Sequence, residues 1–168
     1  MTNKYIIPYI NAEGEVAGNV SKLCKEYSLG GADKLLLYNF SKDEKTKDEF
    51  ISLAKEITEV IDIPFYIGSY IKNFEDVKKA FYTGASAVVV KYEILNNKEV
   101  LKEAIDRFGS GKIIVELTVE QCVEKETGNE GCLSFLNRVG VGTILLKIDQ
   151  LDKQTYEFIE ASPLPIII

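Results

Sequence analysis

Gly31-Ala32-Asp33-Lys34-Leu35-Leu36-Leu37 recurs as Gly84-Ala85-Ser86-Ala87-Val88-Val89-Val90 and again as Gly140-Val141-Gly142-Thr143-Ile144-Leu145-Leu146, at spacings of 53 and 56 residues. Each copy is a small-residue stop followed by an apolar run of strand length. A second strand type, with proline at its start, recurs at Pro8, Pro64 and Pro165, and the run Ile113–Leu117 falls midway between the last two. Odd and even strands therefore differ, and the repeating unit is a βαβα pair of about 53 residues. A (β/α)8 barrel has a physical reason for such a repeat, because alternate strands fill alternate layers of its interior. An open, doubly wound sheet has none.

Outward from these copies the same alternation holds. The apolar runs are Tyr5–Ile10, Lys34–Tyr38, Ile63–Ile67, Ala87–Val90, Ile113–Leu117, Thr143–Ile148 and Leu164–Ile168. Segments of helical period separate them: Val16–Leu29, Thr46–Ile61, Phe74–Thr83, Lys98–Phe108, Glu130–Val139 and Lys153–Ala161. Asn73 with Glu75 and Asp76 forms a helix start, and glycines sit where helices should stop. Strands apolar on both faces and separated by helices imply a parallel sheet covered by helices. The expectation is one α/β domain over residues 1–168, of the (β/α)8 TIM-barrel type but incomplete, with about seven parallel strands and helices outside. A full barrel takes roughly 200–250 residues, so truncation at the C-terminus is expected. An apolar parallel strand left as an edge invites pairing with another chain, which makes a homo-oligomer through that edge a second expectation.

The 168 residues carry 20 Lys+Arg against 26 Asp+Glu, a net charge of −6. There is no histidine, which excludes Ser-His-Asp, Cys-His and His-ligated zinc chemistry. Only Arg107 and Arg138 supply guanidinium groups, and the balance is acidic, so no nucleic-acid partner is expected. Cys24, Cys122 and Cys132 fit no CxxC or zinc spacing and read as reduced thiols of a cytoplasmic protein. No run approaches the ~20 apolar residues of a membrane span, so no membrane partner is expected, nor a metal or cofactor.

Several motifs, taken in order, resemble one family. They are Ile7-Pro8-Tyr9-Ile10-Asn11 with Glu13-Gly14-Glu15-Val16, then Gly31-Ala32-Asp33, then Ile63-Pro64-Phe65-Tyr66-Ile67-Gly68-Ser69-Tyr70-Ile71 with Glu75-Asp76-Val77. Gly84-Ala85, Arg107-Phe108-Gly109 and Gly140-Val141-Gly142 complete the series. Together they resemble the histidine-biosynthesis barrels, namely the cyclase subunit of imidazole glycerol phosphate synthase and phosphoribosylformimino aminoimidazole carboxamide ribotide isomerase. The resemblance implies acid–base catalysis by two aspartates, at the ends of strands one and five, on phosphoribosyl substrates. Paired carboxylates suit that task because one donates a proton while the other accepts one. Here those positions carry Asn11 and Thr118, and the family's acid after the second strand is Asn39. None of the three can exchange a proton near pH 7.

Period-2 alternation places Tyr66, Lys91 and Glu116 inward, with Lys147 and Asp149 at the end of strand six. A charge in such a place needs a partner, so Lys91 is expected to pair with Glu116, and with Tyr66 and Tyr70 to fill the old cavity. Gly68, Ser69, Lys91 and Tyr92 are the residues of a surviving phosphate site, if one survives. Glu116, Glu93 and Asp149 are the possible substitutes for the lost aspartates, and an acid–base or Mg²⁺ cluster is a further reading of them. The acidic stretch Glu120, Glu124, Glu126, Glu130 reads as a solvated loop, Lys42–Glu49 as a loop and exposed first turn, and Cys122 as a thiol without a catalytic role. The resemblance implies a barrel that has lost catalysis and serves as a scaffold or docking domain of a histidine-biosynthesis enzyme. It extends to the N-terminal portion of fused phosphoribosyl-AMP cyclohydrolase/phosphoribosyl-ATP diphosphatase enzymes, whose fused or partner domains would supply chemistry. The alternatives are an active phosphoribosyl lyase or isomerase and a non-catalytic phosphosugar-binding module.

Overall fold

The structure is a computed structural model that describes residues 5–14, 16–124 and 131–168. Glu15 of the first motif, and Glu126 and Glu130 of the acidic stretch, lie outside the described residues. Strands β1 (Tyr9–Asn11), β2 (Leu35–Asn39), β3 (Phe65–Ser69), β4 (Ala87–Lys91), β5 (Ile113–Leu117), β6 (Thr143–Leu146) and β7 (Ile166–Ile167) alternate with helices. The helices are α1 (Ala17–Leu29), α2 (Glu44–Thr58), α3 (Phe74–Phe81), α4 (Lys98–Phe108), α5 (Val119–Glu124), α6 (Cys132–Val139) and α7 (Lys153–Ala161), with a 3₁₀ turn at Tyr92–Asn96. The seven strands are hydrogen-bonded in sequence order, β1 through β7. Sequential order belongs to a (β/α)8 arrangement, because a doubly wound sheet reverses its order part-way. The fold is that of an incomplete (β/α)8 barrel.

The chain divides into two compact units, Met1–Val88 and Val89–Ile168, with the boundary inside β4. In the first unit β1, β2 and β3 are parallel, with Tyr9 opposite Leu36 and Leu36 opposite Tyr66, then Asn11 opposite Tyr38 and Tyr38 opposite Gly68. Residues in register share a face. One face therefore carries Tyr9, Asn11, Leu36, Tyr38, Tyr66 and Gly68. The other carries Ile10, Leu35, Leu37, Asn39, Phe65, Ile67 and Ser69, all buried. Helix α2 turns Phe50, Leu53, Ala54 and Ile57 inward. In the second unit β5, β6 and β7 are parallel, and every residue of β5 is buried, Glu116 included.

The heptapeptide repeat has a structural cause. Gly31, Gly84 and Gly140 have φ of 93°, 91° and 90°, a left-handed conformation that costs other residues roughly 1–2 kcal/mol. After two of them the chain closes the same helix stop: Ala32 N–H donates to Tyr27 O at 3.1 Å, and Val141 N–H to Leu136 O at 3.0 Å. This is the six-to-one bond of a Schellman motif, which turns the chain into the next strand.

Two sequence readings are corrected. The segment after β5 opens with a helix, α5, rather than a solvated loop. Its start is a capping box: Gln121 N–H donates to Thr118 Oγ1 at 3.2 Å, and Thr118 N–H donates to Gln121 Oε1 at 2.9 Å. Lys42–Glu49 is not simply exposed surface either. Asp43 caps α2 by accepting from Thr46 N–H at 2.8 Å, and the Lys47 side chain one turn later is only 5% exposed.

Candidate functional site at the C-terminal ends of the strands

In a (β/α)8 fold, chemistry is built from the loops that follow the strands. The first unit contributes three such loops, and hydrogen bonds tie the first two together. Glu13 N–H donates to Asn11 Oδ1 at 2.7 Å, and Phe40 N–H donates to Glu13 Oε1 at 2.8 Å. Asn39, 4% exposed, donates from Nδ2 to Ala12 O at 3.3 Å and accepts from Ser41 N–H at 2.9 Å. The amides of Asn11 and Asn39 therefore serve the local backbone, as asparagine does in Asx turns.

The end of β3 is covered at Gly68. Tyr38 stacks on Tyr9 with ring centroids 4.1 Å apart, and Phe40 lies 5.7 Å beyond Tyr38. A Cβ at Gly68 would come within 2.9 Å of both Phe40 Cζ and Tyr38 Cβ, so the Phe40 ring already occupies the space in front of that glycine. Ser69, in register with Asn39, shares the opposite face and is buried. Tyr66 faces Lys34: Lys34 Nζ donates to its hydroxyl oxygen at 2.7 Å and lies 5.0 Å from its ring. Half-buried Tyr70 lies beneath two ammonium groups, Lys42 at 5.1 Å and Lys47 at 5.9 Å from its ring centre.

Beside Tyr70 lies an ion pair that the sequence reading missed. Lys47 Nζ donates to Asp76 Oδ1 at 2.7 Å, with side chains 5% and 7% exposed. Asp76 also accepts from the backbone N–H groups of Lys72 at 2.8 Å and Asn73 at 3.1 Å, while Asn73 Oδ1 accepts from Asp76 N–H. Burial by itself would raise the Asp76 carboxyl. The hydrogen bonds from Lys47 and the two amides outweigh it and hold the group below the usual carboxylate range. Burial would likewise depress Lys47, and Asp76 and Glu44 outweigh it and hold the ammonium above its ordinary value. The pair ties the first turn of α2 to the capping box of α3.

A cleft of about 1000 Å³ opens on the helix side of this unit, lined by Ala12, Asn39, Phe50 and Leu53 with Lys45 and Glu49 at its rim. It lies on Asn39's side of the sheet, away from the Asn11 and Tyr38 face.

In the second unit, Lys91 ends β4 and is exposed, Tyr92 is half-buried and Glu93 exposed. Glu116, 5% exposed, stands opposite Leu145 of β6. Thr118 caps α5 as described, and Lys147 and Asp149 are exposed. Tyr66 and Tyr70 thus belong to the first unit, and Lys91, Glu93, Glu116 and Asp149 to the second. Among the described residues no three His, Cys, Asp or Glu side chains are grouped to hold a metal ion.

The Thr118 cap carries a direct prediction. Thr118→Ala is expected to cost about 1 kcal/mol, while Thr118→Asp, also a good N-cap, loses little. Urea unfolding of both variants checks this.

Seven parallel strands in sequential order, alternating with helices, define the fold class as an incomplete (β/α)8 barrel. The chain belongs to the histidine biosynthesis protein family, whose model matches residues 9–151. It is 34% identical over 116 residues to the imidazole glycerol phosphate synthase subunit HisF of Pasteurella multocida, covering 68% of this chain and 44% of that protein. The same subunit of Tolumonas auensis is 35% identical over 125 residues (69% and 48% covered), and that of Dictyoglomus thermophilum 26% identical over 133 (72% and 53% covered). The chain spans about half the length of the curated relatives it matches. Among the described residues no helix is long and apolar enough to cross a membrane.

Proposed function

We propose that this barrel has given up the family's acid–base chemistry and acts as a scaffold or docking domain of a cytoplasmic histidine-biosynthesis enzyme. One observation carries the reading. The positions where the resemblance expects a proton-transferring carboxylate hold side chains committed to local structure: Asn11 accepts from Glu13 N–H, Asn39 bridges Ala12 O and Ser41 N–H, and Thr118 caps α5. An amide or a hydroxyl with an ordinary pKa cannot shuttle protons at neutral pH. Phe40 over Gly68 supports the same reading, because a backbone that is to cradle a phosphate must leave room for it.

The expected result is no turnover of a phosphoribosyl aminoimidazole ribotide or of the isomerase's ribotide substrate by the purified chain. Turnover that is abolished by Glu116→Gln would overturn the proposal in favour of an enzyme that recruited a new carboxylate. Saturable ribotide binding without turnover would replace the scaffold with a phosphosugar-binding module.

A further inference from the structure

Helix α1 carries an apolar stripe that the rest of the first unit leaves open. Among the described residues, seven of the twelve large apolar side chains that are exposed lie between positions 5 and 29, so this surface gathers at β1 and α1. Val16, Val20, Leu23 and Tyr27 are spaced four, three and four residues apart, which aligns them along one side of a helix. Val20 is buried, whereas Val16, Leu23 and Tyr27 are 69%, 38% and 42% exposed. The consecutive N–H groups of Ala32 and Asp33 donate to Tyr27 O at 3.1 Å and to Ile6 O at 3.0 Å. Ile6, 66% exposed, is thereby set beside the end of the stripe. Helix α1 meets α2 by another side, where Ser28 Oγ accepts from Asp62 N–H at 3.2 Å just past the end of α2. The stripe flanks β1, the end strand of the sheet.

Size and symmetry indicate what covers it. Burying an aromatic side chain removes roughly 150–250 Å² from water, so the four exposed side chains, about half open, offer on the order of 400 Å². With a polar rim of ordinary composition, that core corresponds to the ~800 Å² which each partner brings to a standard interface. The stripe also reads the same in both directions, because its four-three-four spacing is unchanged on reversal. Two copies of α1 laid antiparallel across a two-fold axis set Val16 against Tyr27 at each end, with the two Leu23 side chains between them. In this register Glu26 stands beside Asn19 of the second copy, so a carboxylate meets an amide donor rather than another acid. The net charge of −6 opposes self-association, but α1 itself carries Lys22 and Lys25 against Glu26 alone.

We propose that the chain forms a two-fold dimer through α1, in which Ile6, Val16, Leu23 and Tyr27 are covered by the same residues of a second copy. The contact is isologous and closes at two copies. It stands whether or not the barrel binds or turns over a ribotide, because it uses the outer side of α1 and none of the strand-end loops.

Sedimentation velocity of the purified chain, from sub-micromolar to high micromolar concentration, tests this. The expected result is a reversible change from 18.8 kDa to twice that mass, and nothing larger. Leu23→Glu should raise the dissociation constant by roughly tenfold or more, since it places a carboxylate at the centre of the contact. Asn19 is exposed. Asn19→Lys should tighten the dimer by pairing with Glu26 of the second copy, and Asn19→Glu should weaken it, by roughly two- to fivefold each. The proposal is overturned if the chain stays at 18.8 kDa throughout, if the assembly grows past two copies, or if the two Asn19 substitutions leave the dissociation constant unmoved. The mass of the unaltered chain and the Asn19 pair decide the matter even if Leu23→Glu does not fold.

Discussion

Lys47→Ala is expected to cost about 3–5 kcal/mol of folding stability, read as a fall in the urea midpoint without a change in slope. Its partner Asp76 would remain buried with the Lys47 Nζ contact to its Oδ1 gone, and it is this stranded charge that makes the loss large. Asp76→Ala should cost as much or more, because it also removes the acceptor for two backbone N–H groups. A double-mutant cycle should show strong coupling, and replacing both residues by apolar ones of similar size should restore much of the loss. The pH dependence follows from the two shifts. Asp76 is depressed in the folded state, so its contribution is complete above the unfolded carboxylate value of about 3.9 and is lost as pH falls through the lower folded value. Lys47 is raised, so its contribution is complete below about 10.4 and is lost as pH rises through the higher folded value. Unfolding of Lys47→Met/Asp76→Leu should therefore be less pH-dependent than that of the unaltered chain at both extremes. Equal pH dependence would contradict the assignment.

Gly142→Ala is expected to destabilise at or beyond the upper end of the roughly 1–3 kcal/mol typical of overpacking. Its Cβ would fall on the backbone of Gly111, overlapping Cα and N and lying 2.8 Å from the carbonyl carbon. No flexible side chain is there to move aside. Gly142 is also held in place, since its N–H donates to Ile113 O at 3.2 Å at the start of β5. Gly31→Ala is the useful comparison. Nothing lies within 4 Å of its Cβ, but its φ is 93°, so it should show only the left-handed cost of roughly 1–2 kcal/mol. Thermal and urea unfolding of the two variants separate close approach from backbone conformation. Equal losses would mean that the Gly111 contact relaxes freely.

The architecture was readable because its signals are periodic. The glycine–apolar repeat marks helix stop and strand start together, and its three glycines share one backbone conformation. The limits of single elements were less readable. The apolar run Tyr5–Ile10 yields a strand only at Tyr9–Asn11, and Leu164–Ile168 one only at Ile166–Ile167, because strand length follows the partner available for pairing rather than composition. Helix α2 starts two residues before Thr46 because Asp43 caps it, and α5 was concealed because its capping box sits within an acidic run. Burial of Lys47 could not be seen in the sequence, since its partner lies 29 residues away on another helix. That Asn11, Asn39 and Thr118 stand where the resemblance implies carboxylates was visible at once. What those side chains do instead emerged only from the folded loops.

The most direct test of the central claim is a calorimetric titration of the folded chain, at low salt, with a phosphoribosyl aminoimidazole ribotide. No heat of binding is expected up to millimolar ligand, because Asn11, Asn39 and Thr118 hold their own backbone and Phe40 covers Gly68. Saturable binding at micromolar ligand would contradict it, and would show that the strand ends still form a working phosphate site.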